Sequence, residues 1–361
     1  MTISRAMDWE ACTIEPQPNR EVARVLRREL GEVPPWLPYV SACPWIARAM
    51  GVSLADGLLM AIDGDLCERI WLAVSQDNSC RYCYASHRAL MRMLGVAEPR
   101  VRAIEQDLFT AELDGREKLA LDFARRCSRS NPLPNAADKQ PLREAGYNDD
   151  AIKEIAFTAS YISACNRVAT LLALPPEPVE QLPERWLNRI ARPWIGRRLG
   201  ARRRPGKREA LRPEDTRGAY SYLVAALGEL PLARLLRGQI DVALDSPVLS
   251  RRAKLLVFAV IARGLACELS EREATKLLAD EGFDSDRVGT TLSHLAAAEL
   301  DSVEALAVPF ARETIRYRTG AIQRRAQEVA ASLAPAEFLE LVGVAALANM
   351  VGRLAIVVDL P

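Results

Sequence analysis

Shifted by 187 residues, this chain lies over itself in one register, and any fold proposed for it must accommodate that. Cys80 falls on Cys267, Leu90 on Leu277, Gly95 on Gly282 and Arg100-Val101 on Arg287-Val288. Without a gap, Ala111 to Asp114 meets Ala298 to Asp301, and Phe123-Ala124-Arg125 meets Phe310-Ala311-Arg312. Glu117, Leu119 and Ala120 likewise meet Glu304, Leu306 and Ala307. One residue is then lost, and Arg167 through Pro175 lies over Arg353 through Pro361. Chance similarity between two helical segments does not hold a register this long. The pattern predicts two tandem copies of one unit, residues 1–178 and 213–361, joined by a connection over 179–212.

Each copy reads as helical. The chain is rich in Ala, Leu, Arg and Glu and has few β-branched runs, which favours an all-α fold. Asn19 to Leu30 is amphipathic and is closed by Gly31 and the Pro34-Pro35 break. Short helices are expected over Trp36–Met50 and Ser53–Ile62, and a buried one over Leu66–Ser75. Another runs from Cys80 to about Leu94, where Gly95 supplies a stop. Ala111 to Asp114 opens the next, with Asp114 and Glu117 at capping-box spacing. A long helix over Tyr147–Leu174 ends at Pro175-Pro176.

The chemistry concentrates between Glu68 and His87. Cys80, Cys83 and His87 are spaced C-x-x-C-x-x-x-H, and Glu68 stands twelve residues before the first cysteine. Steps of three and four stack along a helix, so the three residues share one face. Asp77, Asn78 and Ser79 supply stop and cap residues before that helix. Cys83 then lies in the first turn, where free N–H groups and the positive end of the macrodipole favour a thiolate. His87 is one turn further along, within reach of the Cys83 sulfur, and Glu68 can orient its imidazole. Two sulfurs, a base and a group to position the base are the parts of a thiol redox centre.

The pattern E-x11-C-x2-C-x3-H, with Ser75 and Asn78 before the first cysteine, resembles the core of the alkyl hydroperoxidase D-like branch of the carboxymuconolactone decarboxylase family. The resemblance implies an all-α fold of two such helical domains, cysteine-based reduction of a peroxide, and assembly into homo-oligomers, trimers or hexamers. It assigns Cys83 as the attacking sulfur, Cys80 as the resolving one, His87 as the proton acceptor and donor, and Glu68 as its holder. It implies no cofactor or metal, and an external dithiol as reductant. One position departs: the better-known members carry a second histidine between the cysteines, where this chain has Tyr82. A proton relay through that histidine does not carry over. Lactone decarboxylation, the activity that names the family, does not need paired cysteines. A redox-sensing or scaffold role, with the disulfide altering a partner interface, is the reading from outside enzymology.

Competing uses of the motif fit less well. Structural zinc usually takes four ligands, and no second C-x-x-C accompanies this one. Haem attachment needs a histidine directly after Cys83, and Tyr84 stands there. The second copy has lost the chemistry: Cys83 becomes Ser270, His87 becomes Ala274, Glu68 becomes Leu255, and Cys267 alone remains as a small buried residue. His294 has no motif neighbours. From Arg185 to Arg212 the chain carries eleven Lys or Arg residues and one acid, Glu209, interleaved with Trp186, Ile190 and Trp194. This reads as a solvated connection. With a net charge of +1 there is no argument for nucleic acid or membrane. The N-terminus lacks a signal-peptide core, no run of about 18 apolar residues stands out, and the cysteines form no secreted framework. Cytoplasm is the expected compartment.

Overall fold

Asn19 opens the first helix, α1 (Arg20–Leu30), by accepting the N–H groups of Glu21 and Val22 at 3.1 Å each. The structure is a computed structural model that describes residues 8–30, 33–52, 57–105, 113–176 and 205–358. The N-terminal half continues with α2 (Leu37–Val40), α3 (Pro44–Met50), α4 (Gly64–Asp77), α5 (Arg81–Met93), α6 (Glu98–Glu105), α7 (Gly115–Arg129), α8 (Gln140–Glu144) and α9 (Asp149–Leu171). The C-terminal half holds α10 (Ser221–Leu227), α11 (Pro231–Asp245), α12 (Arg251–Gly264), α13 (Glu268–Asp280), α14 (Ser285–His294), α15 (Ser302–Glu313), α16 (Thr319–Ala330) and α17 (Pro335–Val358). Among the described residues every regular element is a helix, so the fold is all-α.

Helices α11 to α15 begin at 231, 251, 268, 285 and 302, each 187 residues after the starts of α3 to α7 at 44, 64, 81, 98 and 115. The long helices α9 and α17 begin 186 residues apart, at 149 and 335. The turns obey the same offset. Ser79 and Ala266, before α5 and α13, both take the left-handed conformation (φ 50° and 55°), as do Gly95 and Gly282 after those helices. The constant offset thus begins at α3, where Pro44 lies over Pro231 and Gly51 over Gly238.

α9 and α17 pack against each other, and the buried apolar side chains form one continuous core with members from both halves. Two buried arginines cross between the halves in reciprocal fashion. Arg167 of α9 donates to the carbonyls of Thr314 and Ile315 at 3.0 Å, and Arg353 of α17 donates to the Ser128 carbonyl at 2.7 Å. α17 is long and apolar enough to cross a membrane by composition, which the sequence reading did not anticipate. In this fold 89% of its most apolar stretch is buried in protein, the position of a core helix. The close approach of α17 to α3 requires Gly343: a Cβ there would lie 2.5 Å from Ile46 Cδ1 and 2.8 Å from Trp45 Cη2. Both neighbours are buried. Gly343→Ala is expected to lower stability by about 1–3 kcal/mol, read as a shift in the urea midpoint at unchanged slope.

Several local expectations are corrected. The helix expected over Ser53–Ile62 is absent from its described part, since residues 57–62 form turns and bends. Their N–H groups are taken by a long-range partner: the Glu154 carboxylate of α9 accepts from Met60, Ala61 and Ile62 at 2.7–2.9 Å. Residues 53–56 lie outside the described residues, as do Gly31, 111–112 and the basic stretch 185–204. The capping box at Asp114 does not form, although its counterpart at Asp301 and Glu304 does. Glu117 is turned instead to Arg100 and Arg69. Trp36–Met50 is two helices broken at residues 41–43, and the long helix stops at Leu171 rather than Leu174.

Candidate active site

α4 and α5 form the hairpin that carries all four candidate residues. Asp63 caps α4 by accepting the Leu66 N–H at 2.6 Å. The turn after α4 is fastened by side chains from other helices. Asn78 donates to Ser128 at 3.1 Å and to Asn166 Oδ1 at 2.9 Å, while Asn166 donates to Ser75 at 3.0 Å. The Cys80 N–H closes onto the Ser75 carbonyl at 3.0 Å. The residue at the start of α5 is therefore held from three sides.

That residue is Cys80, which itself serves as the N-cap. Its sulfur accepts the Cys83 N–H at 3.5 Å. The favourable backbone donor at the helix start thus goes to Cys80, where the sequence pointed to Cys83. Both cysteines are free thiols, Cys80 fully buried and Cys83 5% exposed. Burial opposes charge on Cys80, yet the Cys83 thiol and N–H, with the nearby Thr170 hydroxyl, bring its thiol below the usual range. Cys83 is pushed well above that range by its hydrogen bond to Cys80 and by burial, with the nearby Cys165 adding to the effect. Cys80 is therefore the more acidic of the two thiols.

His87 and Glu68 meet as the spacing suggested. His87 Nδ1 lies 3.1 Å from Glu68 Oε2, and Glu68 is buried. The imidazole packs on Trp71 with ring centroids 4.9 Å apart, and Trp71 in turn meets Tyr161 at 6.1 Å. These contacts fix the ring and leave Nε2 as the nitrogen that can exchange a proton. Neither cysteine is a hydrogen-bonding partner of His87 here. Tyr161 also lines a small apolar cavity with Trp45, Met50, Cys165, Leu347 and Met350, between α3, α9 and α17.

Sequence reasoning missed Trp71, Tyr161, Asn166, Thr170 and Cys165. Asn166 and Thr170 stand 86 and 90 residues after Cys80, and no local spacing ties them to the motif. Cys165 shared no spacing with the pair, but it stands on α9 near Cys83. Burial pushes the Cys165 thiol up to about 12. In the C-terminal half Cys267 again caps its helix, but its sulfur donates to Ser270 Oγ at 3.2 Å, and Tyr222 closes on the same hydroxyl at 2.9 Å. Leu255 and Ala274 stand at the positions 187 residues after Glu68 and His87, so no base accompanies Cys267 there. His294 is exposed at the end of α14. Among the described residues no cluster of His, Cys, Asp and Glu is arranged to hold a metal.

No protein-family model matches the chain, and no curated protein matches it. Two solved structures are similar over somewhat less than half of its length. One is described as an alkylhydroperoxidase AhpD core, an uncharacterized peroxidase-related protein from Ralstonia eutropha JMP134. It is 24% identical with a TM-score of 0.41, covering 47% of this chain and 96% of that one. The other is an uncharacterized peroxidase-related protein from Silicibacter sp. TM1040, 27% identical with a TM-score of 0.36, covering 46% of this chain and 89% of that one.

Proposed function

We propose that this chain is a thiol-dependent peroxidase acting through Cys80 and Cys83, with one redox centre in each chain. The observation that carries the reading is the juxtaposition at one helix start of two free thiols, beside a His87–Glu68 pair. In the first step His87 takes the Cys83 thiol proton, and the Cys83 thiolate attacks one peroxide oxygen. The O–O bond breaks, Cys83 becomes a sulfenic acid, and the leaving alkoxide takes that proton from His87. Cys80 then attacks the Cys83 sulfur, the S–S bond forms, and the hydroxyl leaves as water with the Cys80 thiol proton. An external dithiol reduces the disulfide by two exchanges, with Cys80 as the leaving thiolate. Its low thiol pKa suits it to both resolving and leaving.

The equal offsets of helix starts and left-handed turns support reading the chain as two tandem copies of one helical unit. The reciprocal arginine contacts support a pseudo-two-fold relation between them. Assembly into homo-oligomers belongs to the same reading. Steady consumption of a hydroperoxide with a small dithiol as donor is the direct test, and its absence at saturating dithiol would sink the proposal. His87→Ala should slow turnover by about 100-fold, and Glu68→Gln by less. Both variants should still close the Cys80–Cys83 disulfide with a strong oxidant, as counted by mass mapping. Cys267→Ser should leave turnover unchanged.

A further inference from the structure

Two guanidiniums are buried at the seam between the halves, and neither is bonded to a carboxylate. Arg167 of α9 is 2% exposed and Arg353 of α17 is 1% exposed. Arg167 donates to the carbonyls of Ser163, Thr314 and Ile315 at 2.9–3.0 Å and to Ser163 Oγ at 2.7 Å. Arg353 donates to the carbonyls of Ser128, Asn349 and Ile315 at 2.7–3.3 Å and to the Asn349 side chain. Each of these acceptors is a neutral oxygen. Burial opposes the charge on Arg353, and so do Arg167 and Arg316 nearby. A buried cation is costly unless dipoles or an anion balance it.

The bonds of both arginines lead to the turn that carries Cys80. Arg353 holds the Ser128 carbonyl, and Arg167 holds the Ser163 hydroxyl. Asn78, two residues before Cys80, donates to both serine hydroxyls, at 3.1 Å to Ser128 and 3.5 Å to Ser163. It also donates to Asn166, which returns to Ser75, whose carbonyl accepts the Cys80 N–H. This polar cluster is not what makes the turn. At the offset of the C-terminal half, Ala262, Leu265 and Gly352 stand where Ser75, Asn78 and Asn166 stand here. Yet the Cys267 N–H closes on the Ala262 carbonyl at 2.9 Å, and Ala266 takes the left-handed conformation of Ser79. Apolar residues build the same backbone, so the amides and hydroxyls around Asn78 serve something else. Oriented dipoles beside buried cations suit an anion.

We propose that Arg353 is a positioning residue of the redox pair: with Arg167 it supplies buried positive charge, linked through Ser128, Ser163 and Asn78 to the redox turn, that favours an anionic sulfur at Cys80. The anion that balances the seam is then the thiolate formed when the Cys80–Cys83 disulfide is reduced. The C-terminal half thereby contributes a charge to a site whose sulfurs, base and carboxylate all lie on the N-terminal hairpin. The proposal rests on reading Cys80 and Cys83 as a redox pair, and not on peroxide as the oxidant.

The test is the equilibrium of the full chain with dithiothreitol in mildly alkaline buffer, read by mass mapping of the Cys80–Cys83 disulfide. Two electrons pass from dithiothreitol, which closes to its cyclic disulfide, and the protein S–S bond breaks. One thiol proton stays on Cys83, the other goes to the buffer, and Cys80 is left as the thiolate. A stabilised thiolate favours reduction. Arg353→Met should lower the reduction constant about tenfold, whereas Arg353→Lys, which keeps the charge, should hold it within about twofold. Both variants lose bonds across the seam, so both should lower the urea midpoint. Asn78→Leu should fold, since Leu265 occupies the same turn, and should lower the constant about threefold. Lys254→Met destabilises the chain far from the site and should leave the constant unchanged. A native constant in Arg353→Met overturns the proposal, as does one in Asn78→Leu where Arg353→Met does not fold. Equal losses in Arg353→Lys and Arg353→Met would leave the arginine a seam clamp and also overturn it, as would a fall in Lys254→Met. Lack of peroxide turnover would leave these constants untouched and count against the peroxidase reading alone.

Discussion

Cys83→Ser is expected to abolish peroxide reduction, while Cys80→Ser should consume one equivalent of hydroperoxide and stop. The two outcomes differ because the sulfurs have different neighbours. Cys83 is the less buried of the two and stands one turn from His87 on α5. Cys80 lies at the cap, fully buried, with the backbone donor and Thr170 upon it. On the proposed peroxidase reading, peroxide should meet Cys83 first, and Cys80 should resolve the sulfenic acid and later leave. Without Cys80 the sulfenic acid on Cys83 has lost its partner in the motif and should be trapped by a dimedone-type reagent. Without Cys83 no sulfenic acid should form at position 80. Mass mapping after one equivalent of hydroperoxide distinguishes these results, and a sulfenic acid on Cys80 would reverse the roles.

The largest expected stability loss lies far from the site. Lys254 and Glu340 form an ion pair at 2.9 Å with both side chains fully buried. The ammonium also donates to the carbonyls of Ala243 and Leu244 at 2.9 and 3.3 Å and to that of Ser246, and Glu340 accepts from the Ser246 hydroxyl at 2.9 Å. Lys254→Met removes one charge and strands the other, which should cost about 3–5 kcal/mol. Replacing both residues with apolar ones of similar volume should recover most of that loss, because desolvation is then lifted from both sides. Urea denaturation of the single and double variants gives the comparison. A single variant that melts like the native chain would show that Glu340 is not left as an uncompensated charge.

Much of the site was legible in the sequence because it lies on one hairpin. Steps of three and four residues place Cys80, Cys83 and His87 on one helix face whatever surrounds them. Glu68 reached His87 because a helix, a three-residue turn and a helix leave little freedom between them. The 187-residue register was legible too, since helix starts and left-handed turns keep the same offset as the matching residues. Where expectations failed, a distant group had claimed the backbone or side chain. Residues 60–62 did not become helix because Glu154 takes their N–H groups, and Glu117 left its capping role for Arg69 and Arg100.

By itself the sequence determined the helices, the hairpin and the four residues of the motif, because each depends on neighbours within a few turns. Only the tertiary structure decided which thiol is the more acidic. Cys80 is favoured by becoming the cap and by Thr170, 90 residues away. It alone also showed that Glu154 holds a loop through three N–H groups, while Glu340, its counterpart in the second half, is paired with Lys254. Local periodicity prescribes which face a residue shares. Which charge or hydroxyl meets it across that face is settled when the helices pack, since burial makes an unmatched polar group too costly to leave where it falls.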